Sequence, residues 1–288
     1  MKLFGINTKS SSSGFVQKVR IWNRDRVARR AKSKASVEQP DTLCVLGIFK
    51  NEERAIDEWI AHYLWQGANK IILIDNGSTD NSVERIKSWS HDDRISVIRL
   101  ERPYRQTEHY WTAIKRFDVR KKWKWLLIAD LDEFWFAKNG RPLNERLSDF
   151  KKLDVVYCNW STFGCTATQE HPKSLREELC LREPDLGEHG VRKYLVRAEK
   201  LTHPKMVNVH VVKNLDSAKT ISDNVNLQMN HYYTQSLEFW ENVKMTRGDA
   251  FDPAVEEWRD LERFHSANSG CVVEDRLLSD LVKAQKEE

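Results

Sequence analysis

The 288-residue chain is 40% hydrophobic and 31% charged with a formal net charge of +4, a profile that excludes disordered, collagenous and membrane-embedded classes and leaves a globular protein. No run of about 18 apolar residues offers a membrane span, the opening MKLFGINTKSSSSG lacks a signal peptide's apolar core, and five cysteines without CxxC spacing argue for reduced, cytosolic thiols and against a disulfide framework or zinc site. Residues 1–38 hold ten Lys/Arg against two acids, so the basicity belongs to an arm and the body is mildly acidic.

Residues 8–14 read as flexible coil. Residues 15–34, FVQKVRIWNRDRVARRAKSK, can form a basic helix with Phe15, Val16, Val19 and Trp22 as an apolar stripe. That form suits an anionic bilayer surface, which would make the protein peripheral on the inner face of a membrane. A disordered basic tail is the competing reading; nucleic acid as a partner finds no motif in the body to support it.

From Thr42 the pattern becomes α/β. Residues 42–49 read as a buried strand, and 53–66 as an amphipathic helix with Ile56, Ile60, Tyr63 and Leu64 on one face. Gly67 stands where a helix C′ residue is expected. Strand 70–75, helix 82–89, strand 95–100, helix 110–122 and strand 123–130 follow. Such alternation implies a mostly parallel sheet, with ligands bound beyond the carboxyl ends of its strands. The loops that matter are therefore 50–53 (KNEE), 75–80 (DNGSTD) and 130–133 (DLDE). Later, 153–164 is strand-like, 192–201 and 206–214 alternate as two antiparallel strands, and 230–250 opens a helix. Asp252–Pro253 starts a helix running to about Phe264, and 275–286 closes the chain as a helix.

In WLLIADLDEFWF (125–136) an apolar run enters three carboxylates. On an extended strand, residues two apart point the same way, so Asp130 and Asp132 would share one target, with Glu133 opposite. Converging carboxylates repel unless a cation joins them. Oxygen ligands suit Mg²⁺ or Mn²⁺, which typically keep one or two protein carboxylates and fill the remaining positions with water and phosphate oxygens. The ordinary alternative is that Asp130 caps a helix and Asp132 meets a surface arginine.

Five ordered blocks carry a resemblance. IFKNEERAIDEWIAHYLWQGANKIILIDNGSTDNS, ADLDEFW, NWSTFG, KYLVR with the later His210, and NHYYTQSLEFWENVKMTRG together resemble the family-2-like glycosyltransferases, and most closely the branch that contains family 92. The resemblance implies a GT-A fold, an α/β architecture in which a Rossmann-like nucleotide half merges with an acceptor half. It implies a metal-dependent, hexosyltransferase-type enzyme moving a sugar from a nucleotide-sugar, a UDP-sugar by family precedent, with inversion. The charge of the basic arm alone suggests a glycan or glycolipid acceptor, in cell-surface polysaccharide or lipopolysaccharide assembly. The expected organisation is a basic arm at 1–40, a catalytic domain at 41–250 (nucleotide-sugar half 41–137, acceptor half 138–236) and C-terminal helices at 251–288.

The resemblance also places roles. Lys50, Asn51, Glu52 and Asp75 would meet the nucleoside, Asp75 competing with a helix-cap role. Asp130 would touch ribose or metal, Asp132 would ligate the metal, and His231 would complete the site, its imidazole favouring Mn²⁺ over Mg²⁺. Lys244 and Arg247 would neutralise the diphosphate, while Trp160, Phe163 and Gly164 would shape the acceptor pocket. Lys193, Arg197 and His210 lie on candidate strands nearby, the first two on one face. The family's glutamate–aspartate pair for the general base is not recognisable, so the base falls weakly to Glu170, from a loop that also offers Glu177, Glu178, Asp185 and Glu188. A nucleotidyltransferase would need a glycine-rich loop after the first strand, and a non-catalytic carbohydrate-binding protein would be expected to have lost its acids; neither fits.

Overall fold

The computed structural model describes residues 41–166, 168, 170–185 and 190–287, so the basic arm and Glu188 lie outside the described residues. Residues 41–288 group as one compact unit. Strand β1 (Leu43–Phe49) leads to helix α1 (Ile56–Trp65), β2 (Lys70–Asp75), α2 (Ser82–Ser88), β3 (Ile95–Arg99), α3 (Gln106–Arg116) and α4 (Val119–Lys122), then to β4 (Trp125–Ile128) and β5 (Glu133–Ala137). β1 lies between β2 and β4, β2 pairs onward with β3, and all three pairings are parallel. The alternation along these strands sends side chains to opposite faces. Leu43, Val45, Ile71, Leu73, Trp125 and Leu127 pack with Trp59, Ile60 and Tyr63 of α1. Cys44, Leu46, Ile72, Ile74, Leu126 and Ile128 pack with Tyr110, Ala113 and Ile114 of α3. Gly67 has φ +78°, the left-handed C′ geometry that ends α1.

Beyond β4 the sheet turns antiparallel. β6 (Val155–Gly164), the short β7 (Leu181–Arg182), β8 (Arg192–Arg197), β9 (Thr220–Ser222), β10 (Leu227–His231) and β11 (Val273–Glu274) complete it. β8 lies between β4 and β6, antiparallel to both. β10 joins β5 antiparallel and β6 parallel, which folds the second half over the exits of the first. A parallel first half fused to a mixed second half is the arrangement of strands implied above.

Four expected elements differ. Helix 110–122 begins earlier, at Gln106, and breaks at Asp118, whose φ of +53° no helix accommodates. No strand forms at 206–214, because both edges of β8 are already taken by β4 and β6. Residues 230 and 231 finish β10; the helix begins only at Leu237, where the Ser236 hydroxyl accepts the Phe239 N–H at 3.1 Å. The helix after Pro253 stops at Glu257 and a second runs Leu261–Ser269, because Asp260 supplies a fresh cap to the Arg263 N–H at 2.7 Å.

Candidate active site

The loops leaving β1 and β2 are laced together. The Asn51 N–H donates to Ser78 Oγ at 3.1 Å, and the Thr79 N–H donates to Asn51 Oδ1 at 2.8 Å. The Glu52 N–H reaches Ser82 Oγ at 2.8 Å. Asp75, buried, accepts the Ser78 N–H at 2.8 Å and faces Arg99 at 3.4 Å, so it organises the DNGS turn. These loops present Lys50, Glu52 and Asn76 to a cavity of about 300 Å³.

The acids that line the opposite side do not sit on an extended strand. β4 ends at Ile128, and Asp130–Glu133 form a turn closed by the Glu133 N–H donating to the Asp130 carbonyl at 3.0 Å. Alternation therefore does not set their directions. Asp130 and Asp132 nevertheless both line the cavity, and each meets its own lysine. Lys193 Nζ donates to Asp130 Oδ2 at 2.6 Å, with Glu133 Oε1 3.4 Å away. Lys244 Nζ donates to Asp132 Oδ2 at 2.5 Å. Burial disfavours charge on Lys193, but Asp130 and Glu133 outweigh it and hold the ammonium above its ordinary pKa. Burial pushes the Asp132 carboxyl up; Lys244 reverses this and holds it well below the usual carboxylate range.

Glu133 is wholly buried behind the turn. Its Oε1 accepts the Trp160 indole N–H at 2.7 Å and its Oε2 the Asp130 N–H at 2.9 Å. Burial pushes its carboxyl up to about 8 against the pull of Lys193. Trp160 is thus aimed by a buried acid and carries His231 on its face, ring centroids 4.1 Å apart. The β5–β10 register sets His231 opposite Glu133, and the next N–H, of Tyr232, donates to the Asp132 carbonyl at 2.8 Å. Hence His231 Nε2 stands 3.6 Å from Asp132 Oδ1. Burial pushes its imidazole down to about 4, leaving it neutral.

A divalent ion fits this pair. Ligands bonded at about 2.1 Å and at roughly right angles stand about 3 Å apart, so 3.6 Å is slightly open for shared ligation and too long for a hydrogen bond. A carboxylate oxygen with a neutral imidazole is an acceptable Mn²⁺ donor set. The other ring nitrogen, Nδ1, is buried without a hydrogen-bond partner among the described residues, which do not supply the usual outer support of a ligating histidine. Among the described residues no three His, Cys, Asp or Glu side chains converge as a ligand cluster; Asp130 is engaged by Lys193.

Lys244 at the end of the helical turn Trp240–Lys244 and the segment that follows it complete the wall. Lys244 is buried, and Arg247 donates to the Lys50 carbonyl at 2.9 Å and to the Glu52 carboxylate. Arg259 holds Asp249 at 2.5 Å at the cavity rim.

The profile of glycosyltransferase family 92 matches residues 39–266, more than three quarters of the sequence. The chain belongs to glycosyltransferase family 92. A family 92 protein of Oryza sativa subsp. japonica is 23% identical over 231 residues, 78% of this chain and 38% of that protein. Another family 92 protein, of Arabidopsis thaliana, is 26% identical over 156 residues, 53% of this chain and 26% of that one. The chain thus spans well under half the length of these family 92 relatives. Among solved structures, S. aureus TarS 1–349 in complex with UDP is 14% identical, covering 79% of this chain and 72% of that one at a TM-score of 0.43. GalNAc-T7 with UDP, GalNAc and Mn²⁺ is 10% identical, covering 87% and 58% at a TM-score of 0.44. Likeness at that level bears on no ligand and no residue role.

Within this family 92 chain, the cavity gathers Lys50, Glu52, Asp130, Asp132, Trp160, His231, Lys244 and Arg247, with His210 beside Trp160. Asn51, at φ +56°, braces the loops instead of lining the cavity. Phe163 is buried against Tyr232. Gly164 faces Asn268 and Cys271, where a Cβ would come within 2.7 Å of Asn268 Oδ1 and Cys271 Sγ; its bareness serves the packing of Leu261–Ser269. Glu170 is exposed and does not line the cavity. Lys193 and Arg197 share a face as alternation requires, but they stand about 13 Å apart along β8. Arg197 stacks over Trp125 at 4.3 Å, at the far end of the strand. Sequence reasoning missed Glu133 as the residue that aims Trp160. Its signal was an acid entering an aromatic strand with no solvent-facing neighbour.

Proposed function

We propose that this chain transfers a sugar from a nucleoside-diphosphate sugar, of the UDP class, to a hydroxyl of a glycan or glycolipid acceptor, with inversion. What carries the reading is the convergence of Asp132, His231, Lys244 and Arg247 on one cavity at the strand exits of a family 92 domain. The Lys50–Glu52 loop and Asn76 bind the nucleoside. Asp132 and His231 hold a divalent ion, Mn²⁺ or Mg²⁺, which when bound supplies charge to the departing diphosphate. Lys244 and Arg247, held in the resting site by Asp132 and Glu52, are the cations that can turn to the same oxygens and stabilise charge as it develops there. Trp160, fixed by Glu133, offers an indole face to the apolar side of a pyranose.

Incubating the purified chain with Mn²⁺ and a panel of UDP-sugars, and scoring nucleotide release with and without glycan acceptors, tests the proposal. Turnover is expected with at least one donor, and Asp132→Asn should lower it by about 10²-fold or more. Unchanged turnover in that variant, or full activity in EDTA, would remove the metal assignment.

The setting is also proposed. Residues 15–34 attach the domain to an anionic membrane face, where glycolipid acceptors are assembled; among the described residues no helix is long and apolar enough to cross a membrane. Sedimentation with phosphatidylserine vesicles should retain the full chain and lose a variant lacking residues 1–38.

A further inference from the structure

Lys244 Nζ lies 2.5 Å from Asp132 Oδ2, and both side chains are almost wholly buried. Lys244 ends the wide helical turn Trp240–Lys244, closed by the Met245 N–H donating to the Trp240 carbonyl at 2.9 Å. Such i+5 turns recur at functional sites. The second cation, Arg247, three residues past the end of that turn, is also occupied, by Glu52 and the Lys50 carbonyl. A diphosphate entering the cavity therefore meets two cations whose charge carboxylates already match. Asp132 in turn gives one oxygen to the ammonium and turns the other toward His231.

Given the metal–nucleotide reading of this cavity, we propose that Lys244 is a gate: its ammonium competes with the divalent ion for the Asp132 carboxylate, so that ion and nucleoside diphosphate bind together. The reason is charge pairing in a buried place. An ion binding alone displaces Lys244 among carboxylates that other cations already hold, Asp130 by Lys193, Glu52 by Arg247 and Asp249 by Arg259. A diphosphate binding alone draws Lys244 away and strands a buried carboxylate, one of the costliest arrangements a protein interior can hold. With both present, the carboxylate keeps a cation and the ammonium gains the phosphate oxygens. The coupling is reciprocal, so the ion raises diphosphate affinity by the factor that the diphosphate raises ion affinity. Shared coordination by phosphate oxygens would itself couple the two ligands. Only a gate adds that removing the ammonium strengthens ion binding in the nucleotide-free protein.

The test follows free Mn²⁺ by electron paramagnetic resonance with full-length wild type, Lys244→Met and Lys244→Gln, each with and without UDP. Wild type is expected to bind Mn²⁺ at least about tenfold more tightly with UDP than without. The variants that melt as cooperatively as wild type should bind Mn²⁺ alone at least about tenfold more tightly than wild type does, and should gain less from UDP. A simple loss of structure would not tighten ion binding. Variants that bind Mn²⁺ alone no better than wild type, while wild type still binds it with UDP, overturn the gate and leave the metal–nucleotide reading standing. Wild type that takes up no Mn²⁺ even at saturating UDP overturns that reading itself.

Discussion

The two walls of the cavity are built by different means. The wall after β1 and β2 is tied by hydrogen bonds between neighbouring loops, Asn51 to Ser78 and Glu52 to Ser82, which are 27 and 30 residues apart in the chain. The facing wall is tied by ion pairs that span far more, Lys193 to Asp130 over 63 residues and Lys244 to Asp132 over 112, and Arg247 joins it to Glu52 of the first wall over 195. The first wall can form as soon as two adjacent parallel strands pair. The second exists only after β8, β10 and the helix at 237–244 have folded over the strand exits. A neutral turn bond has a modest net worth. A buried ammonium is tolerated only while its carboxylates remain.

Removing Lys193 should break that contrast most visibly. Lys193 is fully buried against Asp130 and Glu133, so Lys193→Met should cost about 3–5 kcal/mol in a urea titration. If it costs no more than a turn residue, the ionic wall is not the demanding one. Gly164→Ala asks whether the packing behind the ionic wall is separable from the cavity. The added methyl meets Cys271 Sγ and Asn268 Oδ1 at 2.7 Å, and the expected loss is about 1–3 kcal/mol with UDP affinity unchanged by calorimetry. A large loss of UDP affinity would return Gly164 to the binding site. Ser78→Ala, in the turn-built wall, should cost only about 1 kcal/mol in the same titration.

The smallest effect is absent at neutral pH and emerges only on acidification. His171, whose ring meets the Ser236 hydroxyl at 3.0 Å, is pushed down to about 4 by burial and by Arg54. The folded state therefore binds fewer protons than the unfolded state below the usual histidine pKa of about 6.5. The stability this contributes is present above about 6.5 and is lost as pH falls through about 4. His62, buried between the Trp135 carbonyl at 2.8 Å and Arg176 at 3.3 Å, is lowered by burial and by Arg176, and acts in the same direction. Urea midpoints should decline from about pH 6.5 toward about 4, and His171→Gln should flatten part of that slope; an unchanged slope would clear His171.

Much of the turn-built wall was readable in the residues. Alternating runs such as LCVLGIF and KIILID, the periodic apolar face of α1 and the Gly67 stop are local signals, and β1, α1, β2, α2 and β3 formed close to where they were expected. The acidic loops at the strand exits were legible because parallel sheets leave their ligands there. The ionic wall was legible only as a set of residue types. Asp130 and Asp132 were expected to converge by strand alternation, yet they lie on a turn. Lys193 was noticed without its partner, and Glu133 was left without a role. The alternating run MVNVHVVKN at 206–214 promised a strand beside β8, both of whose edges are taken by β4 and β6.

By itself, then, the chain's order of residues determined the periodic elements, their order and the placement of polar loops at strand ends, since each depends on interactions a few positions apart. Only the tertiary structure decided which lysine answers which aspartate and that Trp160 is aimed by a buried acid. Those pairings join segments 27 to 112 residues apart, and no local spacing specifies which of many charges will share one desolvated space.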